Sequence, residues 1–198
     1  MSVHRDDLGA RIGMWLFLFT EMMLFGGLFL LYSAYRSMHP VEFHAAGEEL
    51  NVALGVFNTL VLLTSSYTLA LSLTAVEKGQ APLAKRLIAA TILLGALFLV
   101  VKGFEWSAEF RHGIYPNSPG LLQRAPGVVL FYGLYFTMTG LHGLHIIAGM
   151  GLMSVALLKL AKGEVKKGHS IFLENVGLYW HLVDVIWIFL LPLFYLAA

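Results

Sequence analysis

Long apolar stretches separated by short polar segments dominate the pattern of this chain. The longest, from Val128 to Leu158, contains no Asp, Glu, Lys or Arg, and it exceeds the roughly 20 apolar residues that a helix needs to cross a bilayer. Four other stretches have comparable lengths. The pattern predicts an all-α, polytopic membrane protein that forms one transmembrane domain over residues 1–198. Its predicted helices cover about 12–35, 50–76, 85–108, 127–158 and 174–196.

The segments between these helices are polar. We predict a loop at 36–49, because Pro40 breaks a helix, and a longer loop at 109–123 that folds over one face. Nine of the Lys and Arg residues lie in the N-terminal tail and in the turns 77–86 and 159–169, against three in the other loops and the C-terminus. The positive-inside rule then predicts a cytoplasmic N-terminus and a C-terminus outside.

The fourth predicted helix combines small residues with two histidines. Gly133, Gly140 and Gly143 remove bulk from one side, and such positions let helices approach closely in lipid. His142 and His145 fall on one stripe of the helix, in a medium that does not solvate imidazole. We therefore predict that this helix packs against others and that both histidines need protein partners.

Two other predicted helices carry polar residues at regular or terminal positions. In the second helix, Asn58 belongs to a polar stripe of period seven, which we interpret as interhelical packing, with a polar path as the alternative. In the third, Lys102, Glu105 and Trp106 lie at the far end. We predict that the long side chains there extend to the membrane interface and that the indole anchors in it.

Acidic and imidazole groups also occur inside the predicted spans. At about 1.5 Å per residue, Glu21, His145, His181 and Asp184 fall within one slab of the membrane, and His142 lies one turn from His145. Ionisable groups at this depth normally face the interior of a bundle, and we predict that Glu21 holds a proton. Three interpretations are open: mutual structural satisfaction, a functional protonatable cluster, or a metal or haem site.

Composition narrows the function classes. The chain is 58% hydrophobic and 13% charged, whereas soluble domains are about 25% charged. A net charge of +1 offers no basic face for nucleic acid. With no cysteine in the chain, thiolate metal sites, iron–sulfur clusters and disulfides are excluded.

Five segments resemble, in order, the signatures of subunit III of the haem–copper oxidases. They are LFLFTEMMLFGGLF, LGVFNTLVLLTSSYTLAL, VKGFEWSAEF, LYFTMTGLHGLHIIAGM and ENVGLYWHLVDVIWIFLLPLFY. TGLHGLH followed by YWHLVDVIW is the most specific combination. The resemblance covers most of the chain and implies the short, five-helix bacterial form of this subunit. It matches Glu21 and Glu105 to family acids, and His142, His145, His181 and Asp184 to the paired histidines and the WH-x-x-D signature.

The resemblance also implies a biological setting. We expect a redox-inert subunit of a proton-pumping terminal oxidase in the bacterial cytoplasmic membrane, where it supports the stability and the proton supply of subunit I. Haem and copper would lie in subunits I and II, no cofactor in this chain, and membrane phospholipid would be a ligand. Other interpretations are an accessory subunit of a quinol oxidase or nitric oxide reductase, a free-standing proton or ion transporter, and a haem-binding membrane cytochrome.

Overall fold

The computed structural model describes residues 7–165 and 170–196. Within these residues, five helices are long and apolar enough to span a membrane, which confirms the predicted fold class. A π-helical turn directly continues the last of them. The elements are α1 Asp7–Met38, α2 Pro40–Glu48, α3 Val52–Glu77, α4 Ala81–Arg111, α5 Pro119–Leu122, α6 Pro126–Ala161, α7 Ile171–Leu191 and the π-turn Pro192–Leu196.

Proline starts helices here rather than only ending them. The prediction of a loop at 36–49 was wrong, because Pro40 is the first residue of α2. A first-turn residue has no intrahelical acceptor for its N–H, so proline loses no hydrogen bond there. Pro82 lies in the first turn of α4 for the same reason, and that helix begins about one turn earlier than predicted.

The predicted loop at 109–123 is shorter in the structure. Helix α4 continues to Arg111, and Ser118 caps the four-residue α5 by accepting a hydrogen bond from the Leu121 N–H. At the other end of the bundle, Gly79 turns the chain between α3 and α4 with φ of 72°. Glycine adopts this left-handed conformation without steric cost.

Four helices form a closed ring in which α3 contacts α4, α4 contacts α6, α6 contacts α7 and α7 contacts α3. Helix α1 packs outside this ring against α6 and α7, and α2 lies across α6 and the π-turn. Half of the most apolar window of α7 is buried, against 11% for α1. Helix α7 is therefore central to the bundle and α1 peripheral.

Trp180 of α7 holds three helices of the ring together. A Cβ at Gly95 of α4 or at Gly149 of α6 would approach its ring to 2.9 and 2.7 Å, so both positions require glycine for this packing. Its indole N–H donates to the Ser65 hydroxyl of α3 at 3.0 Å. Ser65 belongs to the predicted polar stripe, which the structure turns inward.

Candidate functional site

Glu21 of α1 and His145 of α6 meet at the seam between the peripheral helix and the ring. Glu21 Oε2 lies 2.9 Å from His145 Nε2, and each side chain retains 15% of its exposure. The Phe25 ring meets the imidazole edge to face at 5.4 Å, and the Tyr179 ring stacks near it at 6.4 Å. The structure thus gives His145 the protein partner that the sequence predicted it to need.

The other ring nitrogen of His145 determines what this pair can do. Nδ1 lies 2.7 Å from the carbonyl oxygen of Leu141. Because a carbonyl only accepts, we assign a hydrogen to Nδ1. One further proton then lies between Glu21 Oε2 and His145 Nε2, either on the carboxyl or on the imidazole. That proton can therefore move between the two atoms without changing the net charge of the pair.

His181 and Asp184 of α7 lie at a different seam, against α3. His181 Nδ1 is 2.5 Å from the Ser66 hydroxyl. That hydroxyl also comes close to the Asp184 carboxyl, although neither carboxyl oxygen makes a hydrogen bond within residues 7–165 and 170–196. Asp184 is only 3% exposed. His181 and Asp184 thus both approach Ser66 of α3 rather than Glu21.

His142 is completely buried inside the ring and does not join Glu21. Its imidazole packs against Phe98 at 5.5 Å and Trp187 at 5.2 Å. Neither ring nitrogen has a hydrogen-bond partner in the described part of the chain. The five residues predicted as one cluster are therefore divided between two helix seams and the bundle core. Residues 142 and 145 share one stripe, but their directions differ by about 60° around the helix axis. His142 therefore points into the ring and His145 toward α1.

A buried polar network inside the ring was not predicted as such. Glu105 Oε1 accepts hydrogen bonds from Lys102 Nζ at 3.2 Å, from the Tyr135 hydroxyl at 2.7 Å and from the Tyr195 hydroxyl at 2.5 Å. Lys102 is 6% exposed and Glu105 3%. The prediction that Lys102 extends to the interface was wrong, because protein oxygens surround its ammonium group and take the place of water.

Helical spacing in the sequence could have indicated part of this buried network. Tyr135 lies seven residues before His142, on the same face of α6, and Lys102 and Glu105 are one turn apart on α4. Those spacings place all three inside the ring once its helices are paired. Ser66 and Tyr179, the other polar neighbours of the candidate residues, have no comparable signal, since hydroxyls are common in membrane helices.

The residues predicted for helix packing have mixed surroundings. Asn58 is fully buried, although its amide has no hydrogen-bond partner among the described residues. A Cβ at Gly140 would lie 3.2 Å from the Trp106 ring of α4, and one at Gly143 would lie 3.9 Å from Leu99. Gly133 faces open space instead, so among the described residues it is not a helix contact.

In the described residues, no group of three or more His, Asp or Glu side chains is placed to hold a metal ion. Glu21 and His145 form only a pair. His142 and His181 have different neighbours, the Trp187 ring and the Ser66 hydroxyl. The Glu21–His145 pair can hold and share a proton.

Comparison with known proteins decides the family. The family model described as cytochrome c oxidase subunit III matches residues 3–198. The chain belongs to the cytochrome c oxidase subunit III family. It is 32% identical to a cytochrome c oxidase subunit 3 of Corynebacterium diphtheriae, in an alignment that covers 94% of this chain and 87% of the relative.

Other relatives are subunits of both cytochrome c oxidases and quinol oxidases. The chain is 30% identical to a cytochrome c oxidase subunit 3 of Thermostichus vulcanus, over 94% of this chain and 87% of that protein. It is 31% identical to a probable quinol oxidase subunit 3 of Staphylococcus haemolyticus, over 98% and 92%. The predicted resemblance to subunit III of the haem–copper oxidases is therefore confirmed.

Proposed function

We propose that this chain is a redox-inert subunit III that binds subunits I and II of a proton-pumping terminal oxidase in the bacterial cytoplasmic membrane. Haem and copper would lie in the partner subunits, and lipid would fill the remaining surface. Membership of the subunit III family supports an oxidase complex, and the pairing of Glu21 with His145 carries the proposed contribution of this chain to it. The chain would supply protons and stability rather than electrons.

The role of the Glu21–His145 pair follows from its chemistry. A carboxyl and an imidazole that share one proton can accept or release it with little rearrangement, because donor and acceptor are already within hydrogen-bond distance. The remaining 15% exposure of both side chains leaves the pair accessible from the seam beside α1. We therefore propose that the pair retains a proton close to subunit I during turnover.

Replacement of Glu21 tests this role. Glu21→Gln keeps the size of the side chain and removes the acidic carboxyl, so the oxidase should assemble with its normal haem spectrum. Sustained turnover, or its dependence on pH, should change. Glu77→Gln, at the end of α3, is the matched control and should leave both unchanged. If Glu21→Gln matches the wild type in turnover, pH profile and persistence, the pair has only a structural role.

Orientation is a separate part of the proposal. The excess of basic residues in the N-terminal tail and in the turns 77–86 and 159–169 favours a cytoplasmic location for that end of the bundle. Reporter fusions at Lys162 should then report a cytoplasmic location. Fusions at Asn117 should report a location outside the membrane. Activity of both fusions on one side would contradict this arrangement.

A quinol oxidase is the second candidate, because the Staphylococcus haemolyticus relative is as similar as the cytochrome c oxidase subunits. Purification of the intact complex in mild detergent would separate the two. A cytochrome c oxidase should oxidise reduced cytochrome c at a high rate, and a quinol oxidase should oxidise only the quinol. The same purification identifies the partner subunits.

A further inference from the structure

The buried network at the opposite end of the bundle from the N-terminus has a geometry that the proton role of Glu21 does not explain. Lys102 Nζ donates to three oxygens, those of Glu105, Tyr135 and Tyr195. The Tyr135, Trp187 and Tyr195 rings also surround the ammonium group, with centroids 4.7, 5.3 and 5.2 Å away. The three donor positions of the ammonium are thus all used within the protein.

These four polar residues come from three separate elements. Lys102 and Glu105 belong to α4, Tyr135 to α6 and Tyr195 to the π-turn after α7. Two charges that leave water require close pairing and further hydrogen bonds, because desolvation otherwise exceeds their attraction. The two phenols provide those bonds. The ion pair is therefore complete only when all three elements are docked.

The π-turn is fitted into this position by contacts on its other sides. Pro192 has no N–H to continue the α-helical ladder, and the chain changes to π-helical geometry there. The Tyr32 hydroxyl of α1 donates to the Leu193 carbonyl. Gly55 of α3 leaves room for Leu191 and Tyr195, since a Cβ there would lie 2.9 and 3.1 Å from their side chains.

We propose that Lys102, Glu105, Tyr135 and Tyr195 form an ionic lock that holds the π-turn in a single position against α4 and α6. Its charges act as a pair: either one alone is a buried, uncompensated charge that drives the π-turn out of the bundle. Removal of both charges leaves a neutral core that still accepts the aromatic rings of the π-turn. The lock thus determines the arrangement at this end of the bundle, separately from the proton chemistry at Glu21.

A double-mutant cycle in the intact oxidase complex tests the lock. The readout is amide hydrogen–deuterium exchange of a peptide that covers residues 193–196, together with retention of the subunit in the purified complex. Lys102→Met and Glu105→Gln should each increase exchange by at least about tenfold, because each strands a charge in the core. The double variant should return to within about threefold of the wild type. If the effects of the two substitutions add, the residues do not act as a pair and the proposal is overturned.

The phenol of Tyr195 provides a milder variant that keeps the ring and its packing. Tyr195→Phe should increase exchange of 193–196 in the wild-type background and have little effect in the double variant, where no charge remains to be solvated. Tyr115→Phe is the matched control, since Tyr115 is 43% exposed and should change nothing. An equal effect of Tyr195→Phe in both backgrounds would overturn the link between the phenol and the ion pair. This experiment remains informative if a charge variant is lost from the complex.

Discussion

Glu21 and Glu105 are both carboxylic acids inside membrane-spanning helices, but their surroundings differ. Glu21 lies on the peripheral helix α1, with one nitrogen partner and 15% of its side chain exposed. Glu105 lies inside the ring, at 3%, and one of its oxygens accepts three hydrogen bonds. An acid with a single, shared proton can exchange it readily. An acid that neutralises a buried lysine cannot lose or gain charge without disturbing the fold.

Replacement of each acid by leucine should give the largest contrast between the two regions. Glu105→Leu leaves the Lys102 ammonium without its counter-charge, and loss of one partner from a buried pair costs about 3–5 kcal/mol. Glu21→Leu leaves His145 without its partner in a partly exposed position, and the loss of stability should be about 1–1.5 kcal/mol. Thermal release of the subunit from the purified complex measures both. Equal losses of stability for the two variants would show that the difference in burial does not distinguish the two acids.

Two tyrosines provide the next contrast. The Tyr195 hydroxyl bonds charged groups, so Tyr195→Phe should destabilise the subunit by about 1.5–3 kcal/mol. The Tyr179 hydroxyl donates to the neutral His145 carbonyl, at 3.2 Å, and Tyr179→Phe should cost about 0.5–1.5 kcal/mol. Denaturant titration of the complex, followed through release of the subunit, gives both values. A larger loss at Tyr179 would reverse our ranking of the two regions.

Two glycines of α6 differ in whether another side chain lies close to them. Gly140→Leu should displace the Trp106 ring from the helix and loosen the subunit from its complex, at about 1–3 kcal/mol, because its Cβ alone would lie 3.2 Å from that ring. Gly133→Leu should be tolerated, because a Cβ at Gly133 meets open space. Subunit stoichiometry after purification distinguishes the two. Unchanged stoichiometry for Gly140→Leu would contradict the packing role.

The smallest effect should come from an exposed ion pair. Arg124 Nη1 lies 2.8 Å from Glu49 Oε2, with both side chains over a third exposed, so Arg124→Ala should cost no more than about 1 kcal/mol. The hydrogen bond that Arg124 donates to the Glu49 carboxylate raises the pKa of Arg124 above its ordinary value. A folded-state pKa above the unfolded-state pKa means that the interaction stabilises the fold fully at pH values below the unfolded-state pKa. This stabilisation is lost only as the pH rises through the folded-state pKa. Arg124 should therefore add no pH dependence between neutral pH and pH 10, which thermal unfolding across that range would check.

Several features could be predicted from the sequence because they depend on local composition. Uninterrupted apolar length predicts the five spans, since a helix must satisfy its own backbone hydrogen bonds in lipid. The spacing of apolar and polar residues also indicated that Asn58 and His142 face inward, and the structure buries both. Family-specific motifs added the type of complex. Helix α2 was predicted as a loop, because Pro40 was interpreted as a helix breaker although proline fits the first turn of a helix.

Only the tertiary structure decided which ionisable groups are partners. His145 and Glu21 are 124 residues apart, and Tyr195 is 90 residues from Glu105. No pattern along one helix specifies which neighbour it faces, because helices with apolar surfaces can pack in several rotations in lipid. Lys102 illustrates the point: its place near a helix end predicted an interfacial side chain, yet two phenols and a carboxylate from three elements take the place of water around its ammonium group.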